Sequence, residues 1–495
     1  LDEAVAVDIA AIDVDSLSRA LKNLMSEIEN AREVWPEYVA YLSMRELVDE
    51  IAENSEPSRA AYLTLFQSNI KQADQNIEKA ITAIDVRGVY NSLESARQTY
   101  VVNAEPINGI YFDMTFKVAN PSCTTDGSWL NDGTVNFRTL ENAGQNDEYA
   151  GRFYENWIGP GNEWKDGQRP IYQEVTTLPN GNYELSAAAF RKVELSSADP
   201  NATDISLYLN GQRTEVTSTV FNYFTVRGAV ASRTAEIGLI GGAGNTANWI
   251  GLADVTLKYY GSETIELDET DEEFTAPDGT FGTVAMSQAL HAGRWNLVCL
   301  PFSMSSSQVR DVFDDVKELV SVTVDGTACN LYFEDVRTME AGVPYLVEVS
   351  EDASQWTYED VAIEAAAIAD GVVEVTDGTV IARLIGTSQV TIVDGENIYK
   401  YEPNNAFASV GSGALINGFR AYLELDGITP ESLNVYVDDE LVTGIQGVGA
   451  DQGTSEVDVY TTDGKLLRSG VEKTRALSGL PSGIYIVGGQ TVMKK

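Results

Sequence analysis

Histidine is nearly absent from this sequence: His291 is the only one among 495 residues. That excludes a Cys/His zinc site built on two histidines, and any Ser-His-Asp or Cys-His relay that does not use this one residue. Cysteine is almost as scarce. Cys123, Cys299 and Cys329 are widely spaced, with no CxxC pair, so no disulfide framework is expected. Buried free thiols are the expectation, with a Cys299–Cys329 pair as the alternative within one region. Basic residues are heavily outnumbered: 33 Lys and Arg against 75 Asp and Glu give a formal net charge of −42. Nucleic acid and anionic membrane surfaces require basic patches, so neither is an expected partner. The charge suits a self-repelling protein in a crowded or salty exterior. No run approaches the ~20 apolar residues of a membrane span. Leu1 to Ala11 mix acids with Ala and Val and hold no signal peptide, so the expectation is a mature form without its export signal.

What is present divides into four regions, close to the number this length implies. The fold class expected is multidomain and mainly β: a helical bundle over 1–105, a jelly roll over 108–261, a second β-rich domain over 275–442 and a small β module over 455–495. In the first, Leu17, Leu21, Leu24 and Ile28 draw one apolar stripe, and Leu63, Phe66, Ile70, Ile77 and Ile81 another. Pro36 and Pro57 sit where first-turn prolines belong, which predicts helix starts near Glu37 and Ser58. The pattern predicts helix throughout 14–102, as an up-and-down bundle serving as a spacer or a partner-binding element.

From Gly109 to Gly261 the period changes to two. Tyr183, Leu185 and Ala187, then Ile205, Leu207 and Leu209, then Val255, Leu257 and Tyr259 alternate as one buried sheet face requires. Asn180-Gly181 and Asn210-Gly211 supply hairpin turns. The spacing predicts two packed antiparallel sheets. Sugar recognition requires flat aromatic faces with amides and charged groups beside them. Tyr149, Arg152, Tyr154, Asn156, Trp157 and Trp164 offer these within sixteen positions. Trp157, followed by Ile158-Gly159-Pro160-Gly161, is the leading candidate, expected on an exposed loop; Trp164 and Trp129 are candidates for core. No cofactor is required by any motif. Calcium is the one metal the acids suggest, at Asp126, Asp132 and Asp147, without a twelve-residue calcium loop.

The stretch 262–274 is dense in Asp and Glu and is expected to be an irregular connector. Glu266, Asp268 and Asp271 imitate the E-x-D-x-x-E strand of laminarinase-type glycosidases, with Asp in the third place and no aromatic strand context, so no catalysis is expected of them. The third region is β-rich and begins with Trp295–Phe302, with a helix expected over Ser306 to Val320 and with Trp295, Phe302, Tyr345 and Phe419 expected in its core. The tail reads as strand, Asp463-Gly464 turn, strand, then Leu480-Pro481-Ser482-Gly483-Ile484-Tyr485. Too small for an independent core, it is expected to dock on its neighbour.

Three resemblances accompany these readings. Ile171–Val175, Leu178–Leu185 and Ala247–Leu257 resemble the galactose-binding-like jelly rolls of secreted bacterial carbohydrate-binding proteins. The phrases Trp295–Phe302, Ala341–Val347 and Gly418–Leu425 resemble a β module near the C-termini of large secreted proteins from the same bacteria. Val457–Leu467, Leu477–Val487 and Lys494-Lys495 resemble the sorting domain of type IX secretion substrates. The resemblances imply a secreted or cell-surface, non-catalytic carbohydrate-binding or adhesive protein, with a polysaccharide or glycan as partner and other surface proteins beside it. The alternatives are a structural or protein-binding surface component that uses the jelly roll as scaffold, and, below it, a glycan-active enzyme.

Overall fold

The structure, a computed structural model, describes residues 14–123, 127–133, 138–141, 151–159, 162–193, 204–244, 247–365, 367, 371–411 and 413–442, and in the tail 456–461, 465–472, 476–477, 480–481, 483–487 and 490–494. Three helices open it: α1 (Val14–Glu53), α2 (Ala60–Ile77) and α3 (Ala83–Val101). Tyr41, Met44, Val48 and Ile51 of α1 recur at three and four residues and are buried against Phe66 and Ile70 of α2 and Val86, Val89 and Leu93 of α3. α3 starts at a reciprocal cap between Thr82 and Asp85.

The helix start expected at Pro36 is corrected, and the one expected near Ser58 is met two residues later. Pro36 lies inside α1; it withdraws one backbone donor, and the buried turns that follow keep the helix continuous. Pro57 ends β1 (Ser55–Pro57), which pairs with β2 (Ala104–Pro106), and α2 begins three residues later. Helix is therefore interrupted within 14–102 by a strand, one short enough and close enough to an edge to accept a proline. The stripe of Leu17, Leu21, Leu24 and Ile28 faces away from the bundle, each side chain about half exposed.

The jelly roll is present as expected. β3 (Phe112–Asp113), β4 (Arg138–Glu141), β5 (Arg152–Trp157), β6 (Ile171–Thr176), β7 (Gly181–Lys192), β8 (Ile205–Leu209), β9 (Gln212–Glu215), β10 (Asn222–Val230), β11 (Thr234–Gly241) and β12 (Trp249–Gly261) form two sheets. One is ordered β10-β7-β12-β5-β4, with β3 on β12; the other is β6-β11-β8-β9, and every pairing is antiparallel. The three alternating triplets read from the sequence all lie in the core between them. Asn210 and Gly211 both take positive φ, 47° and 90°, as the two-residue β8–β9 hairpin demands. The sandwich core is continuous with that of the bundle through Val101, Ala104, Phe112 and Met114.

The supposed connector is part of the third region. β13 (Glu263–Asp268) pairs in parallel with β14 (Phe281–Leu290), and Ile265 and Leu267 are buried between exposed acids. Two apolar residues at period two outweigh the like charges around them. Asn182 ties this region to the jelly roll, its Oδ1 accepting from the Phe281 N–H at 2.7 Å and its Nδ2 donating to the Phe281 carbonyl at 2.8 Å. The helix expected over 306–320 ends at Val312, and Asp315–Asp325 is a strand; its consecutive β-branched Val322, Thr323 and Val324 favour sheet. Phe302, Tyr345 and Phe419 are core residues and Trp295 is half-buried. All three cysteines are buried and free, and burial pushes the Cys299 thiol up to about 12. The tail forms a four-stranded sheet, and among the described residues its buried cluster of Val459, Ala476 and Tyr485 is drawn from the tail itself. Its Pro-x-Gly-x-Tyr turn repeats a device of the jelly roll: the hydroxyls of Tyr485 and Tyr183 each donate at 2.8 Å to the carbonyl of the proline four residues back.

Candidate functional site

Alternate residues of a strand point to opposite faces of its sheet. On the six-stranded sheet, Tyr183, Leu185 and Ala187 point into the sandwich, so Glu184, Ser186, Ala188, Phe190 and Lys192 point outward. Pairing aligns this outer face into rows: Trp157, Trp249 and Lys192; Glu155, Gly251 and Phe190; Ala253, Ala188 and Tyr223; Thr256, Ser186 and Thr225; Lys258, Glu184 and Arg227. From Lys192 to Glu184 the rows extend over roughly 27 Å at the rise of a strand.

One end is an aromatic knot. Phe153, Phe190 and Phe221 meet edge to face at centroid distances of 4.8 to 5.8 Å and are buried. Phe190 lies across Gly251, where a Cβ would stand 2.2 Å from its ring. Trp249, half-buried, meets Phe190 edge-on at 5.4 Å, donates its Nε1 hydrogen to Glu155 at 2.9 Å and lies under the Lys192 ammonium at 5.0 Å.

The middle is a floor of small side chains, Ser186, Thr225 and Thr256; the neighbouring Ala188 and Ala253 are buried in the cluster of Phe153, Phe190 and Phe221. Over it stands Tyr223, 48% exposed, whose hydroxyl donates to the Asp254 carboxylate. Asp254 occupies the bulge between Ala253 and Thr256 and has φ 46°. A bulge re-aims a side chain, and here it delivers a carboxylate to the face that Val255 and Leu257 leave. Left-handed backbone at a non-glycine residue costs free energy and clusters at functional sites.

The far end is charged. Glu184 accepts from Arg227 at 2.9 Å and from Lys258 at 3.2 Å. Burial acts to raise its carboxyl, but these two hydrogen-bonded cations outweigh it and hold the group below the usual carboxylate range. Arg227 lies 5.4 Å from the Tyr260 ring and Lys258 4.7 Å from the ring of Tyr111, which is 46% exposed. Rings, small floor and fixed hydrogen-bonding groups together form a surface suited to a long, hydroxyl-rich ligand.

The residues singled out in the sequence divide. Trp157 is on this face, but as the last residue of β5 and half-buried, not on an exposed loop. Tyr154 and Asn156 are on the opposite side of β5, in the core. The Tyr154 hydroxyl donates to the Gly127 carbonyl and accepts from Asn120, and Asn156 donates to the Pro170 carbonyl at 2.9 Å. Trp164 is 3% exposed, in the same core. Arg152, half-buried, shares the Tyr154 side by strand parity. Tyr149 lies outside the described residues. Tyr154, Asn156 and Trp164 therefore pack the sandwich and leave the outer face to others. Tyr223, Trp249, Asp254, Glu184, Arg227 and Lys258 were missed. The signal was available in strand parity: Glu184, Ser186 and Ala188 alternate with the core triplet.

For metals, Asp126 and Asp147 lie outside the described residues, and Asp132 is taken by Arg169 at 2.7 Å. Asp315, Asp335 and Asp438 are, among the described residues, carboxylates close enough to share an ion. The buried Lys317 ammonium already occupies their centre, 3.0 Å from Asp315 and 2.6 Å from Asp438. Glu266 is exposed on β13, and Asp268 accepts from the Thr270 N–H at 2.8 Å.

No family model and no curated protein matches the chain. Among solved structures, it is similar to the CBM22-1 xylan-binding domain from Paenibacillus barcinonensis Xyn10C, at 9% identity over 31% of this chain and 97% of that one, with a TM-score of 0.22. It is also similar to TmCBM61 in complex with β-1,4-galactotriose, at 17% identity over 28% and 96% of the two chains, with a TM-score of 0.21. A third is the CBM22-1–GH10 portion of Clostridium thermocellum endo-1,4-β-D-xylanase 10B, at 10% identity over 30% of this chain, with a TM-score of 0.22. The match spans 32% of that xylanase chain. No helix among the described residues is long and apolar enough to cross a membrane.

Proposed function

We propose that the outer face of the six-stranded sheet binds a polysaccharide chain, and that the protein is a non-catalytic carbohydrate-binding or adhesive component, secreted or held at the cell surface. The observation that carries this is Tyr223, an exposed ring braced by a bulge-turned Asp254 over a floor of small side chains. A pyranose stacks its C–H face on such a ring, while Asp254, Thr225 and Ser186 reach its hydroxyls. Trp157 and Trp249 would extend the track at one end, and Tyr111 and Tyr260 at the other. The strongly acidic composition and the tail resembling a sorting module support an exterior location. Affinity electrophoresis through gels containing soluble xylan or β-1,4-galactan tests the reading. Retardation by one of them that is lost with Tyr223→Ala supports it, and equal mobility in every gel contradicts it.

A further inference from the structure

Every residue of α1 from 15 to 33 is exposed. Helices draw most of their stability from packing one face, and an unpacked segment of this length is marginal in water. The segment nonetheless carries a regular seam. Leu17, Leu21, Leu24, Ile28, Ala31 and Trp35 alternate four and three residues apart, the 3.5-residue period of a coiled coil. At ~100° per residue the seam lies about two-fifths of a turn from the bundle-facing stripe of Tyr41, Met44 and Val48, so α2 and α3 leave it open. Leu17, Leu21, Leu24 and Trp35 are 54 to 64% exposed and Ile28 is 48% exposed. The seam runs about 27 Å and ends where Tyr38 turns half-buried against the bundle.

We propose that α1 pairs in parallel with α1 of a second copy of this chain, as a two-stranded coiled coil over Leu17–Trp35. Ile28 falls at an a position and Leu17 and Leu24 at d, the choice that favours two strands. The flanks specify the orientation. Glu27 is at g and Arg32 at the following e, five residues on, the spacing at which a parallel pair brings g of one helix to e of the other. Neither side chain has an ion-pair partner among the described residues. Two-fold symmetry forms the Glu27–Arg32 contact twice. On the proposed carbohydrate-binding reading, a dimer would offer two jelly-roll faces to one ligand chain and make the second contact intramolecular.

Sedimentation equilibrium of the full chain across the micromolar range tests this. A dimer is expected, and Leu24→Glu with Ile28→Glu should render it monomeric while leaving the melting profile of the β domains in place, since both side chains are exposed in the single chain. Glu27→Lys should weaken the dimer several-fold, and adding Arg32→Glu should restore it. A wild-type chain monomeric at every concentration overturns the proposal, as does a dimer that survives Leu24→Glu with Ile28→Glu. Failure of the charge exchange to restore association overturns the parallel orientation.

Discussion

Asp254 separates a strained binding residue from a structural one. Its φ of 46° is a conformation that costs an L-residue ~1–2 kcal/mol, less for Asp than for Ala. Asp254→Gly removes that cost, adds ~0.5–1 kcal/mol of unfolded-chain entropy and forfeits one exposed hydrogen bond from Tyr223, ~0.5 kcal/mol. The terms nearly cancel. In a domain of this size each kcal/mol moves the midpoint by about 2–4 °C, so the glycine variant should melt within about 4 °C of wild type. Asp254→Ala keeps the backbone cost and loses the hydrogen bond, so it should melt several degrees below the glycine variant. Calorimetry gives the order, and electrophoresis through polysaccharide gels gives the function: both variants should lose retardation. A glycine variant with full retardation would show that the bulge does not serve the ligand. One melting far below the alanine variant would refute the strain argument.

Two further outcomes concern stability. Lys317→Ala leaves Asp315, Asp335 and Asp438, all at least 40% exposed, facing one another without a cation and should cost about 1 kcal/mol in urea unfolding; an unchanged midpoint would show that solvent already screens the trio. The Asp132 carboxyl is held below the usual range by its hydrogen bonds to Arg169, against a smaller opposing effect of burial. A depressed folded value means stability that is full above the unfolded value near 3.9 and lost as pH falls through the folded one. The acid limb of the stability curve should therefore flatten in Asp132→Asn, by about 1 kcal/mol for a partly exposed pair.

Much of the sandwich was legible because period two needs no partner to be seen: each core triplet found its place. The site was less legible. Aromatic density around Trp157 pointed to β5, one strand of the proposed face, but density does not say which face a ring takes. Tyr154 and Asn156 flank Glu155 in sequence and face away from it in space. Tyr223 and Asp254 are 31 residues apart, and only the β10-β7-β12 pairing and a bulge bring them together. The acidic stretch around β13 was misread because its charge count drew more weight than Ile265 and Leu267. Pro36 was misread because a first-turn proline and a tolerated interior proline look alike until the buried turns beyond it are known. The apolar stripe of α1 was visible, but its orientation away from the bundle was not.

The central claim is that an exposed ring over the six-stranded sheet holds a sugar chain. Its most direct test is Tyr223→Ala, titrated calorimetrically with xylohexaose and β-1,4-galactotriose beside wild type. The account predicts measurable wild-type binding to one of them, weakened at least tenfold, about 1.4 kcal/mol, in a variant whose melting midpoint moves by less than about 2 °C. Wild-type affinity retained in full by Tyr223→Ala, or no heat from either oligosaccharide with wild type, would contradict it.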